Sequence, residues 1–304
     1  MAFTAQDVKT LRERTGVGMM DCKKALTEAD GDMDKAIDLL RERGLAAAAK
    51  KAGRIAAEGV VYAEADLSKK VGVIVEVNSE TDFVAKNADF QAFVKDVASV
   101  IMDKAPTSVD ELLTLPMGEG DVAVTLRDKI LVIGENLSIR RFERFEGDCV
   151  AYIHDHGRLA ALVKFDVAAG VDPAALTACG IDVAQQIVSM NPDYLDAAAI
   201  PAEDIEKEKE IQIAKAKNDP KSANKPDEII VKMVEGRMGK FFEERCLLSQ
   251  VFVKGDGITV GQYVENCAKA AGDMKVVAFV RYEKGEGLQK REDDFAAEVA
   301  SMVK

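Results

Sequence analysis

Val71 to Val77 is the clearest strand in the chain: valines at 71, 73, 75 and 77 alternate with Gly72, Ile74 and Glu76. A second apolar segment, Gly59 to Asp66, lies close enough before it to pair antiparallel through a short turn. A helix follows, with Phe90, Phe93, Val94, Val97 and Ile101 on one stripe. Leu137 to Glu143 reads as a third strand. The same order then restarts: Gly147 to Asp155 and Arg158 to Val167 form another pair, a helix spans about 172–190, and Met274 to Glu283 is a late strand. A chain that runs twice through strand pair, corner and helix is confined to the α+β class. It should build a core of two related α+β subdomains with small antiparallel sheets, at 58–145 and 146–283.

Between the first strand pair and its helix stands a polar corner, Asn78-Ser79-Glu80-Thr81-Asp82-Phe83-Val84-Ala85-Lys86-Asn87. Two readings compete for it. Phe83 precedes Phe90 by seven residues, so one unbroken helix would put it on the core stripe, with Asp82 a first-turn acid favoured by the helix dipole. Asn87, with Asp89 behind it, is a good N-cap. A helix that starts there leaves 79–86 as a loop and Phe83 free to project.

The flanks divide cleanly. At the N-terminus Thr4 and Asp7 form a capping-box pattern, Thr15 to Gly18 is a turn, and Met19, Cys22 and Leu26 follow at helical spacing. Asp32 caps a third helix with Met33, Ala36, Ile37 and Leu40 inward, and Gly44 is expected to stop it. Leu45 to Ala57 then reads as a connecting helix, so 1–57 forms an N-terminal three-helix domain plus linker. Met19 fits its core face; Met20, 100° round, is expected outside. A helix at about 121–134 precedes the third strand. From about 199 to 247 the second half is interrupted by a charge-dense helix, Glu203 to Lys217, a turn, and a return helix lined by Ile230, Met233, Val234, Arg237, Met238 and Phe241. This is a helical hairpin insertion. Gly285 and Gly287 open a linker to a closing C-terminal helical module at 284–304, capped by Asp293, with Phe295, Ala296, Val299, Met302 and Val303 on one face.

Composition excludes several functions. The net charge of −12 repels phosphate backbones and argues against direct nucleic-acid binding; only residues 1–57, with 11 Lys+Arg against 9 Asp+Glu, lean basic. No apolar run of about 18 residues offers a membrane span, and no signal-peptide pattern opens the chain, so a cytoplasmic location is expected. The five cysteines, 22, 149, 179, 246 and 267, contain no Cys-x-x-Cys, which points to buried reduced thiols. P-loop, Gly-x-Ser-x-Gly, His-Glu-x-x-His and Gly-rich dinucleotide patterns are missing, so neither an enzyme nor a cofactor (none) is expected. His154-Asp155-His156 places two histidines two residues apart at a turn, a conceivable metal pair, but without further ligands at a recognisable spacing. A metal-dependent hydrolase built on them is the rival from another class.

Several motifs resemble those of bacterial translation elongation factor Ts. They are Arg12-Glu13-Arg14-Thr15-Gly16-Val17-Gly18-Met19-Met20-Asp21-Cys22-Lys23-Lys24-Ala25-Leu26, Thr81-Asp82-Phe83-Val84-Ala85-Lys86-Asn87, Gly134-Glu135-Asn136 with Ile139-Arg140-Arg141, Val234-Glu235-Gly236-Arg237-Met238, and Asp294-Phe295-Ala296-Ala297-Glu298-Val299-Ala300. They occur in order along nearly the whole chain. The resemblance implies an N-terminal domain like the ubiquitin-associated three-helix module and a two-subdomain core. It also implies guanine nucleotide exchange on the GTPase elongation factor Tu. Thr81, Asp82, Phe83 and Val84 would then be the lever on the magnesium site of that GTPase. Arg12, Val17, Met19 and Met20 would be contacts from the N-terminal motif. His154, Gly157 and Arg158 would contact it from the second subdomain, in a loop of the form Tyr152-x-His154-x-x-Gly157-Arg158. In some family members the hairpin serves self-association, so a homodimer through it is possible here. The alternative is a non-exchanging scaffold that binds a GTPase or another partner through the N-terminal helices.

Overall fold

The computed structural model describes residues 3–219, 225–255 and 257–289. It opens with α1 (Ala5–Thr15), α2 (Met19–Glu28) and α3 (Met33–Lys51). Thr4 and Asp7 make the expected reciprocal capping box. Leu11, Cys22, Ala25, Leu26 and Leu40 close a small core. Met19 does not join it. As the first residue of α2, one turn ahead of Cys22, it is 44% exposed. Gly44 does not stop α3 either. The alanines beyond it are strong helix formers, and Gly44 is buried where the helix crosses the backbone of Arg127. The connecting helix therefore ends at Lys51 and not near Ala57.

The first sheet is built from β1 (Glu58–Asp66), β2 (Val71–Ser79) and, later, β5 (Ser138–Glu146), antiparallel with β2 in the middle. Between β2 and β5 come α4 (Asp82–Ala85), α5 (Ala88–Lys104), α6 (Val109–Leu113), the two-residue strands β3 (Pro116–Met117) and β4 (Gly120–Asp121), and α7 (Val122–Ile133). The second sheet contains β6 (Asp148–His154), β7 (Leu159–Val167) and β8 (Met274–Glu283), with β7 central. Its helix α8 (Pro173–Met190) is followed by the hairpin α9 (Ala202–Asn218) and α10 (Asp227–Arg245), then α11 (Val260–Ala271). Neither α6 nor α11 was expected from the sequence, although Val260, Val264 and Ala268 recur at helical spacing.

The two halves are alike in detail. Each central strand has nine residues, and each shifts register against its third strand between its sixth and seventh residue, at Glu76/Val77 and at Lys164/Phe165. Both faces of β2 are buried. Val71, Val73, Val75 and Val77 pack on Phe90, Phe93 and Ile101 of α5. Ile74 on the other face meets Val61, Ala160 and Leu162, so the two sheets lie back to back. Gly72 permits this approach: a Cβ there would sit 2.6 Å from Cβ of Cys149.

The hairpin keeps a core of its own, Ala216, Ile230, Val234 and Met238, flanked by Ile205 and Ile213. Cys22, Cys149, Cys179 and Cys246 are buried and free, and burial pushes the Cys149 thiol up to about 11. Among the described residues no helix is long and apolar enough to cross a membrane. The closing helix expected after Asp293 lies outside the described residues.

Candidate functional site

The corner after β2 resolves the two sequence readings by dividing the segment. Thr81 caps the single turn α4, accepting from the N–H of Val84 through its hydroxyl. Asn87, with ψ at 130°, then breaks the helix and caps α5, accepting from Asp89 (2.8 Å) and Phe90 (3.2 Å). The break uncouples Phe83 from the stripe of α5. Ala85 is buried, Val84 leans on the core, and Phe83 is 80% exposed.

This corner is fastened from behind by the turn after α7. Gly134 takes the left-handed conformation (φ 85°) that ends the helix and turns the chain. Glu135 then accepts from the N–H groups of Glu80 and Thr81, both at 3.0 Å, and from the Thr81 hydroxyl at 2.7 Å. Glu80 answers by accepting from the N–H of Asn136 at 2.6 Å, and the Asn136 amide donates to the carbonyl of Arg54 at 2.9 Å. Ser79 donates to the Thr81 carbonyl. The effect is a preorganised base from which one aromatic ring projects into solvent. Asp82 pairs with Lys86 at 2.7 Å, and this hydrogen bond holds its carboxyl below the usual carboxylate range.

Phe83 borders a depression of about 340 Å³ shared with Val132 of α7. Val132 also lies beside Gly16, whose Cβ position is 3.8 Å from it, so the N-terminal turn and the corner meet along one flank of α7. Arg12, Met19 and Met20 are exposed around that turn. Val17 differs from these three. It is buried in the three-helix core, and its carbonyl accepts from the Cys22 thiol.

The β6–β7 turn abuts β1. Asp155, His156 and Gly157 follow one another in the left-handed region, at φ 48°, 53° and 90°. Gly157 is also buried, because a Cβ there would lie 3.0 Å from the carbonyl oxygen of Val61. It lies where the turn is seated on the first sheet, against Val60 and Val61. His154 is exposed, with Nδ1 3.0 Å from the Tyr152 hydroxyl, and Arg158 is exposed beside Asp155. Among the described residues no group of three or more His, Cys, Asp or Glu side chains is arranged to hold a metal.

A polar cluster that the sequence reading did not single out joins the halves. The Glu76 side chain is wholly buried in β2. It accepts from Arg140 (3.0 Å), Arg141 (2.6 Å), the Asn78 amide (3.0 Å) and the N–H of Gly285 (2.8 Å). Burial alone would raise its pKa, but these four donors outweigh it and lower the value. Arg141 stacks on Tyr282 at 4.1 Å and pairs with Glu286 at 3.1 Å. The register shift at Glu76/Val77 lets adjacent Arg140 and Arg141 reach one carboxylate. The expected linker at Gly285 is therefore pinned.

Residues 80–286 match the family model described as Elongation factor TS. A curated relative, Elongation factor Ts of a Nitratiruptor species, is 49% identical over 314 aligned positions that cover 100% of both chains. With Thr81-Asp82-Phe83-Val84 standing on a braced corner and the match extending over the full length, the chain belongs to the elongation factor Ts family of translation elongation factors.

Proposed function

We propose that the chain is a guanine nucleotide exchange factor that binds elongation factor Tu and accelerates its release of GDP. It acts by binding and not as an enzyme. The observation that supports this most is Phe83: a large apolar ring 80% exposed on a corner braced by Glu135. Burying such a ring in an apolar gap of the GTPase contributes about 1.5–3 kcal/mol. Since about 1.4 kcal/mol is tenfold in affinity, one or two such contacts loosen a nucleotide substantially. A P-loop GTPase holds GDP through backbone N–H groups, a lysine and Mg²⁺. The ion demands near-ideal octahedral geometry, so small shifts of its ligands weaken it. Asp82 would compete for groups around its water shell, exchanging Lys86 for them. Thr81 and Val84 hold the corner's shape. Arg12, Met19 and Met20 on one side, and His154 and Arg158 on the other, supply affinity. The coupling is reciprocal: GDP weakens binding of this chain as much as the chain weakens GDP.

The test is the release rate of a fluorescent GDP from elongation factor Tu. Wild type should accelerate it strongly. A folded Asp82→Ala/Phe83→Ala variant that still binds should not. Acceleration by both would move the lever elsewhere, and none by wild type would leave a non-exchanging scaffold.

A further inference from the structure

Two of the five cysteines meet where α8 packs on α11, and the meeting is fixed one helical turn away. The Tyr263 hydroxyl of α11 donates to Asp182 of α8 at 2.5 Å, and Lys254 donates to the other oxygen of the same carboxylate at 2.6 Å. Phe252 stacks on the Tyr263 ring, with centroids 4.1 Å apart. The helix α8 is itself held on β6, since a Cβ at Gly180 would come within 2.5 Å of Val150. Cys179 stands three residues before Asp182, and Cys267 four residues after Tyr263, so each lies one turn along its helix on the face that makes this contact. The two side chains pack in one core cluster and interact directly, and Cys267 also interacts with the Tyr263 hydroxyl. Cys22 and Cys149 belong to other clusters, and Cys246 caps the end of α10.

The two thiols differ in access. Cys179 is buried, whereas Cys267 is half-buried and the most accessible of the five. Burial pushes the Cys179 thiol far up, so it stays protonated and resists direct oxidation. We infer that Cys179 and Cys267 form an oxidation site that takes a small hydroperoxide and closes reversibly to an intramolecular disulfide. The Cys267 thiolate attacks one peroxide oxygen, the O–O bond breaks, and the sulfur becomes a sulfenic acid. The other oxygen leaves as hydroxide and takes up the proton lost by Cys267, giving water. The Cys179 sulfur then attacks the Cys267 sulfur. The S–S bond forms, the S–O bond breaks, and the hydroxide leaves with the Cys179 proton as a second water. The pair of sulfurs is oxidised by two electrons, and the peroxide is reduced by the same two. A small thiol reverses the bridge by exchange. The bridge would tie α8 to α11 and close a loop that contains the entire hairpin of α9 and α10. No residue of the Phe83 corner takes part, so the site is independent of the exchange reading.

Hydrogen peroxide added to the full chain, followed by alkylation in denaturant and peptide mass spectrometry, tests it. A disulfide-linked pair of peptides containing Cys179 and Cys267 should appear, and dithiothreitol should abolish it. Alkylation of these two cysteines should fall together, while that of Cys22, Cys149 and Cys246 stays unchanged. Cys179→Ser removes the resolving sulfur. Sulfenic acid trapped at Cys267 by dimedone should then rise at least about tenfold over wild type, since a neighbouring thiol otherwise captures it intramolecularly. Cys267→Ser should leave Cys179 fully alkylatable after peroxide. Cys179→Ala serves if the serine hydroxyl unfolds the core. Sulfenic acid as abundant in wild type as in Cys179→Ser would overturn the inference. So would linked peptides joining other cysteines to the same extent, disulfides formed only between separate chains, or a Cys267 untouched by peroxide.

Discussion

Glu76 is a carboxylate in a strand otherwise made for burial, and its energetics follow from its four donors. Removing one partner of a buried ion pair leaves the others uncompensated, at a cost of about 3–5 kcal/mol. Glu76→Gln should therefore lower stability by about that much in urea titrations. The folded-state pKa lies below the ordinary value of 4.5. The contribution is thus fully present above about pH 4.5 and is lost as pH falls through the folded-state value. Stability of the wild type should fall across that range, and the fall should be shallower in Glu76→Gln. The Asp82–Lys86 pair is different, being solvent-exposed on both sides. Lys86→Ala should leave the melting temperature nearly unchanged, because water and salt screen an exposed pair. At this scale the sequence showed the residue types but not the meetings. Val17 and Gly157 read as contacts because their motifs resemble a family's; Val17 is buried in its own three-helix core, and Gly157 is buried against the distant strand β1. Nothing near residue 76 announces that residues 140, 141 and 285 converge on it.

Among elements, those with strong periodicity were legible. β1, β2, β6, β7, β8 and α8 lie within two residues of their expected bounds, because alternation and apolar stripes are local signals. Gly44 misled because helix-stopping is a weak preference that a run of alanines and a packed neighbour override. The corner was ambiguous for a stated reason, the seven-residue interval from Phe83 to Phe90, and the caps at Thr81 and Asn87 decided it. What local reading could not supply is the brace from Glu135, some 55 residues away. Glu135→Ala removes a charged acceptor from three donors in a partly exposed setting, which should cost about 1–3 kcal/mol. On the exchange reading it should also slow stimulated GDP release while Phe83 remains in place. A Glu135→Ala chain that melts normally and exchanges at the wild-type rate would show that the brace is dispensable.

At the scale of the molecule, the back-to-back sheets share the layer formed by Val61, Ile74, Ala160 and Leu162, and Gly72 sets their separation. Gly72→Ala forces a methyl against Cys149, and overpacking of this kind costs about 1–3 kcal/mol. Both sheets should lose hydrogen-exchange protection together in that variant; loss confined to the first sheet would show that the halves are energetically separate. The same architecture has a temporal side. The N-terminal helices draw their buried core from residues 8–40, so those contacts are available early in synthesis. The first sheet cannot finish so early, because one ligand of its buried carboxylate is the N–H of Gly285, and β7 acquires its second neighbour only with residues 274–283. While most of the polypeptide is still being synthesised, Glu76 must remain hydrated or partly paired, so the two-sheet body matures late and nearly all at once.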